Sequence, residues 1–285
     1  MFQRLSVLLV LFLVISASAQ QKPAETEPGL PSEQTVNEFM RATFGFDPSL
    51  SWRILSIKPY ASGLSEVNVV VTGSQGAQEQ KFYVTSDGKH AVIGEIMPFG
   101  SHPYSETQKV LAKGMNGPSR GPATAPVTLV EFSDLQCPHC KEAQPNIDKL
   151  ISEHKNVRLV FQSFPLPMHD WASKAAKYAD CVSHTSNEAF WKFISGVYEA
   201  QSDITASNAD EKLTELATTA GVKGPDIAAC AAKPETATHV EQSKTLGKEL
   251  NVDSTPTFFM NGRKLPAVPY DVLEKLVDFS AKQGQ

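Results

Sequence analysis

The stretch Thr128–Ile151, TLVEFSDLQCPHCKEAQPNIDKLI, restricts this chain more than any other. A strand-type apolar run (Val127, Leu129, Val130, Phe132) leads straight into Cys137-Pro138-His139-Cys140. A helical pattern follows, with Ile147, Leu150 and Ile151 recurring at helical spacing. Pro138 stands where a first helical turn tolerates a residue without a backbone N–H. Cys137 is therefore expected at the mouth of a helix, beside unpaired N–H groups and the positive end of the helix dipole. That position favours thiolate over thiol. Two residues between the cysteines bring both sulfurs within bonding reach across one turn. The arrangement reads as a redox dithiol.

The compartment follows from the first residues. Met1–Ala19 reads as a cleaved signal peptide: Arg4 supplies the positive start, Leu5–Ile15 the apolar run and Ala17-Ser18-Ala19 a small-residue cleavage site. An uncleaved anchor is the other reading, although the apolar run is short for a bilayer. Export places the chain in a periplasm or outside the cell, where disulfides can persist. All four cysteines lie in the exported part, too few for a stapled mini-scaffold of this length, so the close pair is expected to serve chemistry. Cys181 and Cys230 have no close partner in sequence, and an oxidising compartment favours a structural disulfide between them over two buried free thiols. A bridge closing so long a loop contributes on the order of 4 kcal/mol in the chain-entropy model. A formal charge of −5, scattered rather than blocked, gives no basic footprint for nucleic acid. A zinc site at the dithiol would need two more ligands at ligand spacing; no second close pair exists, so no metal is expected.

The organisation reads in order. Residues 20–31 are polar and proline-rich, a flexible leader. Residues 32–104 read as a small α+β accessory domain: a helix at about Glu33–Thr43 capped by Ser32, then strands at Trp52–Pro59, Glu66–Thr72, Glu79–Thr85 and Ala91–Met97. So small a unit has little core and often needs a partner. Residues 105–125, a short helix followed by a Gly/Pro/Ser-rich run, read as a linker, or as an irregular edge of the next domain. Residues 126–285 give strand, helix, strand (Val157–Phe161), a helical block at about 168–250, a hairpin turned by Asn261-Gly262, and a last helix opened by Pro269. The fold class is α/β. His169-Asp170 reads as the start of a helix, and Phe190, Trp191, Phe193, Phe258 and Phe259 as core.

Two residues near the dithiol carry expectations of their own. His139 adds a charge that lowers the Cys137 pKa. Glu131 lies among Val130, Phe132 and other apolar neighbours, where a carboxyl is desolvated and its pKa raised, unless it points to the outer face of the strand.

APVTLVEFSDLQCPHC, STPTFFMNGRKL and the helical block between them resemble the DsbA-like thiol–disulfide oxidoreductases of the thioredoxin superfamily, over about Pro122–Lys282. The resemblance implies a thioredoxin fold with an inserted helical subdomain, and makes Glu131 a buried acid that exchanges a proton with Cys140. It also implies a cis-proline at Pro256, with the Thr255 backbone pairing with substrate. KFYVTSDGKHAVIGEIM at Lys81–Met97 resembles the amino-terminal dimerisation domain of DsbC/DsbG-type isomerases, which implies a homodimer.

The expected function is disulfide formation in exported, unfolded or reduced proteins, with Cys137 as nucleophile and Cys140 as resolving partner. No dissociable cofactor is expected. A membrane reoxidant linked to quinone, of the DsbB or vitamin K epoxide reductase type, is implied by the resemblance. A DsbC/DsbG-type isomerase is the first alternative, supported by the accessory domain and by Thr255, where oxidants of the family often carry valine. A non-catalytic chaperone or metal-handling binding module is the second.

Overall fold

A computed structural model describes residues 29–45, 47–61, 63–73, 76–94, 96, 99–265 and 269–283. The signal peptide read at Met1–Ala19 and most of the leader at 20–31 lie outside the described residues. The chain divides into two compact units, with the boundary in sequence between residues 96 and 97.

The first unit begins with α1 (Glu33–Phe44). Ser32 is extended, and its hydroxyl accepts the Thr35 N–H at 3.1 Å, satisfying one orphan donor of the first turn. An antiparallel sheet follows in the order β1 (Ser51–Pro59), β2 (Leu64–Gly73), β3 (Gly76–Thr85) and β4 (Ala91–Ile93). Alternation along β2 sends Val67 and Val69 towards Val36 and Met40 of α1, with Phe82 closing this small core. Glu66 lies on the other face, 3.0 Å from Lys58 and 3.5 Å from Lys81. Burial pushes its carboxyl up, but Asn68 and the two lysines outweigh that and hold it below the usual range. Strand β4 stops at Ile93, short of the expected Met97, because Gly94 adopts φ +131° and turns the chain out of the ladder. Met97 itself lies outside the described residues.

The second unit contains α2 (Ser105–Gly114), β5 (Ser119–Arg120), β6 (Val127–Ser133), α3 (Pro138–Glu153) and β7 (Val157–Ser163). Helices α4 (Ala172–Thr185), α5 (Asn187–Glu199), α6 (Ala209–Thr219), α7 (Gly224–Ala231) and α8 (Pro234–Glu249) follow, then β8 (Thr257–Met260), β9 (Arg263–Leu265) and α9 (Tyr270–Gln283). The sheet runs β5-β7-β6-β8-β9, with β6 and β7 parallel and the other pairs antiparallel. Central β6 is buried on both faces. Leu129 packs with Ile147 and Leu150 of α3 and Val277 of α9, while Val130 and Phe132 pack with Phe164, Leu246 and Phe259 on the opposite side. The architecture is a thioredoxin fold with inserted helices. None of the described helices is long and apolar enough to cross a membrane.

One reading needs correction. Residues 105–125 are not slack: Leu111 of α2 is buried against Leu246, and β5 pairs with β7 through Ser119–Val160 and Arg120–Leu159. A Cβ on Gly117 would sit 1.7 Å from the Phe161 carbonyl oxygen, so glycine there marks close backbone approach rather than a flexible tether. The second reading of that stretch, an irregular edge, describes it better. The Asn261-Gly262 turn has positive φ at both residues (45° and 83°), as a two-residue hairpin demands.

The helical block has its own core, including Tyr178, Val182, Phe190, Phe193 and Leu213. Cys181 of α4 is bonded to Cys230 of α7, Cα–Cα 6.0 Å, across 49 positions of sequence.

Candidate active site

Strand period places Glu131 and Ser133 on the same side of β6. The chain then turns through Asp134-Leu135-Gln136 and delivers Cys137 as the N-cap of α3, with Pro138 in the first turn. The Cys137 N–H donates to the Asp134 carbonyl at 3.0 Å. Its sulfur lies 3.3 Å from the Thr255 carbonyl oxygen, to which the protonated thiol donates. The Thr255–Pro256 peptide is cis. Gln201 clamps the turn from the helical block, its amide donating to the carbonyls of Leu135 (2.9 Å) and Cys137 (3.1 Å).

The two thiols differ sharply in surroundings. Contact with the Cys140 thiol, then with the Thr255 side chain and the backbone N–H groups of Cys140 and His139, lowers the Cys137 thiol to about 5, against the opposing effect of burial. Cys140 is fully buried, and burial with the Cys137 contact pushes its thiol far up, further raised by the Glu131 charge. The Asp134 N–H donates to its sulfur at 3.4 Å. At neutral pH the pair therefore holds one thiolate and one thiol.

Glu131 is wholly enclosed. Its Oε1 accepts from the Gln144 amide at 2.9 Å, and its Oε2 has no hydrogen-bond partner among the described residues. Burial pushes its carboxyl up to about 7, over the lowering effects of Ser133, Arg120 and Gln144. An acid poised there can hold or release a proton at the operating pH. His139 is exposed, and its Nδ1 lies 3.1 Å from Glu142. Glu142 first, then the Cys137 charge, raises the imidazole pKa and favours its cationic form.

The structure brings Cys137, Cys140, Pro138, His139, Thr255 and Pro256 together at one end of the sheet, with Glu131 buried behind. Several neighbours were absent from the sequence reading. Ser133 shares a 2.8 Å hydrogen bond with Tyr198, whose hydroxyl burial pushes far up. Asp134 accepts from Gln136 N (2.8 Å), Leu166 N (2.7 Å) and His169 Nδ1 (2.8 Å). His169 is thus a buttress to the loop before the dithiol, and Asp170 accepts from Gln136 at 2.8 Å. Ser133, two residues from Glu131, and Gln144, four from Cys140, were legible by strand and helix period. Tyr198 and Gln201 arrive from the helical block and left no local signal.

Comparison with known proteins agrees with this fold. A family model described as Thioredoxin matches residues 114–279, more than half of the chain. Disulfide bond formation protein D of Bacillus subtilis is 28% identical over 206 residues, 70% of this chain and 85% of that protein. The crystal structure of oxidised BdbD from Bacillus subtilis superposes with a TM-score of 0.55 at 26% identity, covering 60% of this chain and 94% of that one. The Na+/H+ antiporter NhaA 3 of Salinispora tropica is 30% identical over 154 residues, 54% of this chain. This chain spans only 22% of that antiporter's length.

Proposed function

The chain belongs to the thioredoxin family, and from that premise we propose that it is an exported thiol–disulfide oxidoreductase that forms disulfides in envelope or secreted proteins. The reading rests on one observation: Cys137 caps the N-terminus of α3 beside the cis Thr255–Pro256 peptide, with Cys140 fully buried in the same first turn, an arrangement that lowers the first thiol and pushes the second far up.

In the oxidised enzyme a substrate thiolate attacks the Cys137 sulfur. The Cys137–Cys140 bond breaks, and the electron pair leaves on Cys140, which takes up a proton; Glu131 is the buried acid suited to supply it. A second substrate thiolate then attacks the substrate sulfur of the mixed disulfide and expels Cys137 as its stabilised thiolate. The substrate loses two electrons and gains a disulfide, and the enzyme ends as the dithiol seen here. The redox-active disulfide is the only electron carrier this cycle needs in the protein. A membrane reoxidant linked to quinone, of the DsbB or vitamin K epoxide reductase type, would then accept the two electrons. Thr255 and Pro256, facing Cys137, are the proposed platform for an extended substrate segment. Signal-directed export to a periplasm or cell exterior completes the proposal, with unfolded or reduced exported proteins as substrates.

A low thiolate pKa stabilises the reduced form and so makes the disulfide oxidising. Equilibration of the Cys137–Cys140 pair with glutathione is expected to give a potential well above thioredoxin's, which is about −270 mV, and towards the oxidant end at about −120 mV. A value at or below thioredoxin's would overturn the oxidant assignment.

A dimeric isomerase is the second reading. It is favoured by the α+β unit before the dithiol domain, whose edge strand β4 leaves Ile93 74% exposed, and by Thr255 before the proline. Recovery of activity from scrambled ribonuclease distinguishes the two, since an oxidant acts on the reduced substrate alone.

A further inference from the structure

A second cluster of reactive side chains lies in the helical block and plays no part in the exchange chemistry. Asp180 and His184 stand one turn apart on α4, and α8 brings His239 alongside them. His239 Nδ1 lies 3.3 Å from Asp180 Oδ2, and His184 Nδ1 lies 3.6 Å from the same oxygen. The two imidazole rings are 5.3 Å apart. One ligand atom from each residue falls within 4.8 Å of the others.

We propose that Asp180, His184 and His239 form a binding site for a late first-row divalent metal ion, Zn2+ being the representative probe. A tetrahedral ion with bonds of about 2.0–2.1 Å sets its ligand atoms roughly 3.3–3.4 Å apart. The His239–Asp180 distance is already close to that spacing, and one ligand atom of each of the three residues lies within 4.8 Å of the others, so side-chain rotation at His184 is enough to close the cluster on an ion. Two imidazoles and one carboxylate suit zinc, copper or nickel; calcium and magnesium prefer all-oxygen shells.

Two further features fit a ligand set. His184 Nδ1–H donates to the Asp180 carbonyl oxygen at 2.8 Å, which orients the ring and leaves Nε2 as its nitrogen for a metal, as supporting groups do for metal-bound histidines. A small cavity of about 20 Å³ opens beside the cluster, lined by Asp180, His239, Asn116, Ser183 and Ser243 among others. That is room for about one water molecule, which would complete a three-residue site. The disulfide at the neighbouring Cys181 ties α4 to α7, and a bound ion would tie α4 to α8. The site would thus serve as a second cross-link within the helical block.

The test is titration of tag-free, full-length protein with Zn2+ by calorimetry, with Cys137 and Cys140 held as a disulfide so that the dithiol cannot chelate. One ion per chain, with a higher Tm on saturation, is the expected result. His184→Ala and His239→Ala should each weaken binding at least tenfold, whereas His90→Ala, on the exposed surface of the other unit, should leave it unchanged. Both cluster histidines are partly exposed, and circular dichroism checks that the variants remain folded. Co2+ gives an optical check: visible absorption bands should appear with the wild type and be lost with His239→Ala. Absence of saturable uptake, or uptake and bands unaltered in both histidine variants, would overturn the site. The cluster would then be an ordinary carboxylate–imidazole contact between two helices.

Discussion

Two cysteine pairs sit in one unit, and they have been put to opposite uses. Cys137 and Cys140 occupy the first turn of α3, with a buried acid behind them and the Thr255 carbonyl in front. Cys181 and Cys230 join two helices; the Thr236 hydroxyl lies 3.6 Å and 3.8 Å from their sulfurs, and neither occupies a helix N-terminus. The difference teaches that position, not proximity in sequence alone, makes a cysteine pair chemically active. Hydrogen bonds from Cys140 and the helix mouth hold the Cys137 thiol down while full burial pushes Cys140 up, and the other pair is a covalent brace.

The largest expected effect separates the two uses. Cys137→Ser should reduce disulfide exchange by on the order of 10³-fold or more, as loss of a nucleophile does, measured by oxidation of a reduced dithiol peptide. Alkylation of reduced wild type should titrate with a midpoint near pH 5, rather than near 8.5 as for a free thiol. Because the folded pKa is lowered, the thiolate stabilises the reduced protein fully above the unfolded pKa. That contribution disappears as pH falls through about 5. An alkylation midpoint above 8 would erase the contrast.

Next in size is the brace. Replacing Cys181 and Cys230 together by alanine should lower stability by about 2–5 kcal/mol in urea denaturation, with the Cys137 alkylation profile unchanged. Altered alkylation would mean that the two pairs are not independent.

Glu131→Gln should slow the exchange cycle by roughly 10²-fold while leaving Cys137 reactive, as seen by stopped-flow formation and decay of the mixed disulfide. Its folded pKa is raised, so its contribution to stability is complete below about 4.5 and is lost as pH rises through about 7. The glutamine variant should lack that loss in pH-dependent unfolding. The smallest effect belongs to exposed His139. Alanine there should raise the Cys137 pKa by a fraction of a unit, read from thiolate absorbance; no change would assign the shift to the thiol pair and backbone alone.

What the sequence made legible was local. The strand–dithiol–helix run, the Asn261-Gly262 hairpin and the enclosure of Glu131 among apolar neighbours all depend on residues a few positions apart. The 105–125 stretch reads equally as linker or as irregular edge, because glycine and proline mark both slack chain and backbones pressed together, and only the partner, here Phe161, distinguishes them. Tyr198, Gln201 and the partnership of Asp134 with His169 were invisible for a related reason: each joins segments more than thirty residues apart. The three-residue cluster on α4 and α8 likewise had only the four-residue step between Asp180 and His184 as a local trace.

Asp134 has an effect beyond its own loop. Its carboxylate receives Gln136, Leu166 and His169, while its backbone holds both dithiol residues. The reactive tip and the approach to the helical cap are therefore pinned at a single hub, and neither can peel away without unfastening the other. Slow opening near the sulfurs and fraying of the cap's leading loop become one cooperative event, in which the amides of Cys137 and Leu166 trade their hydrogens with solvent in step.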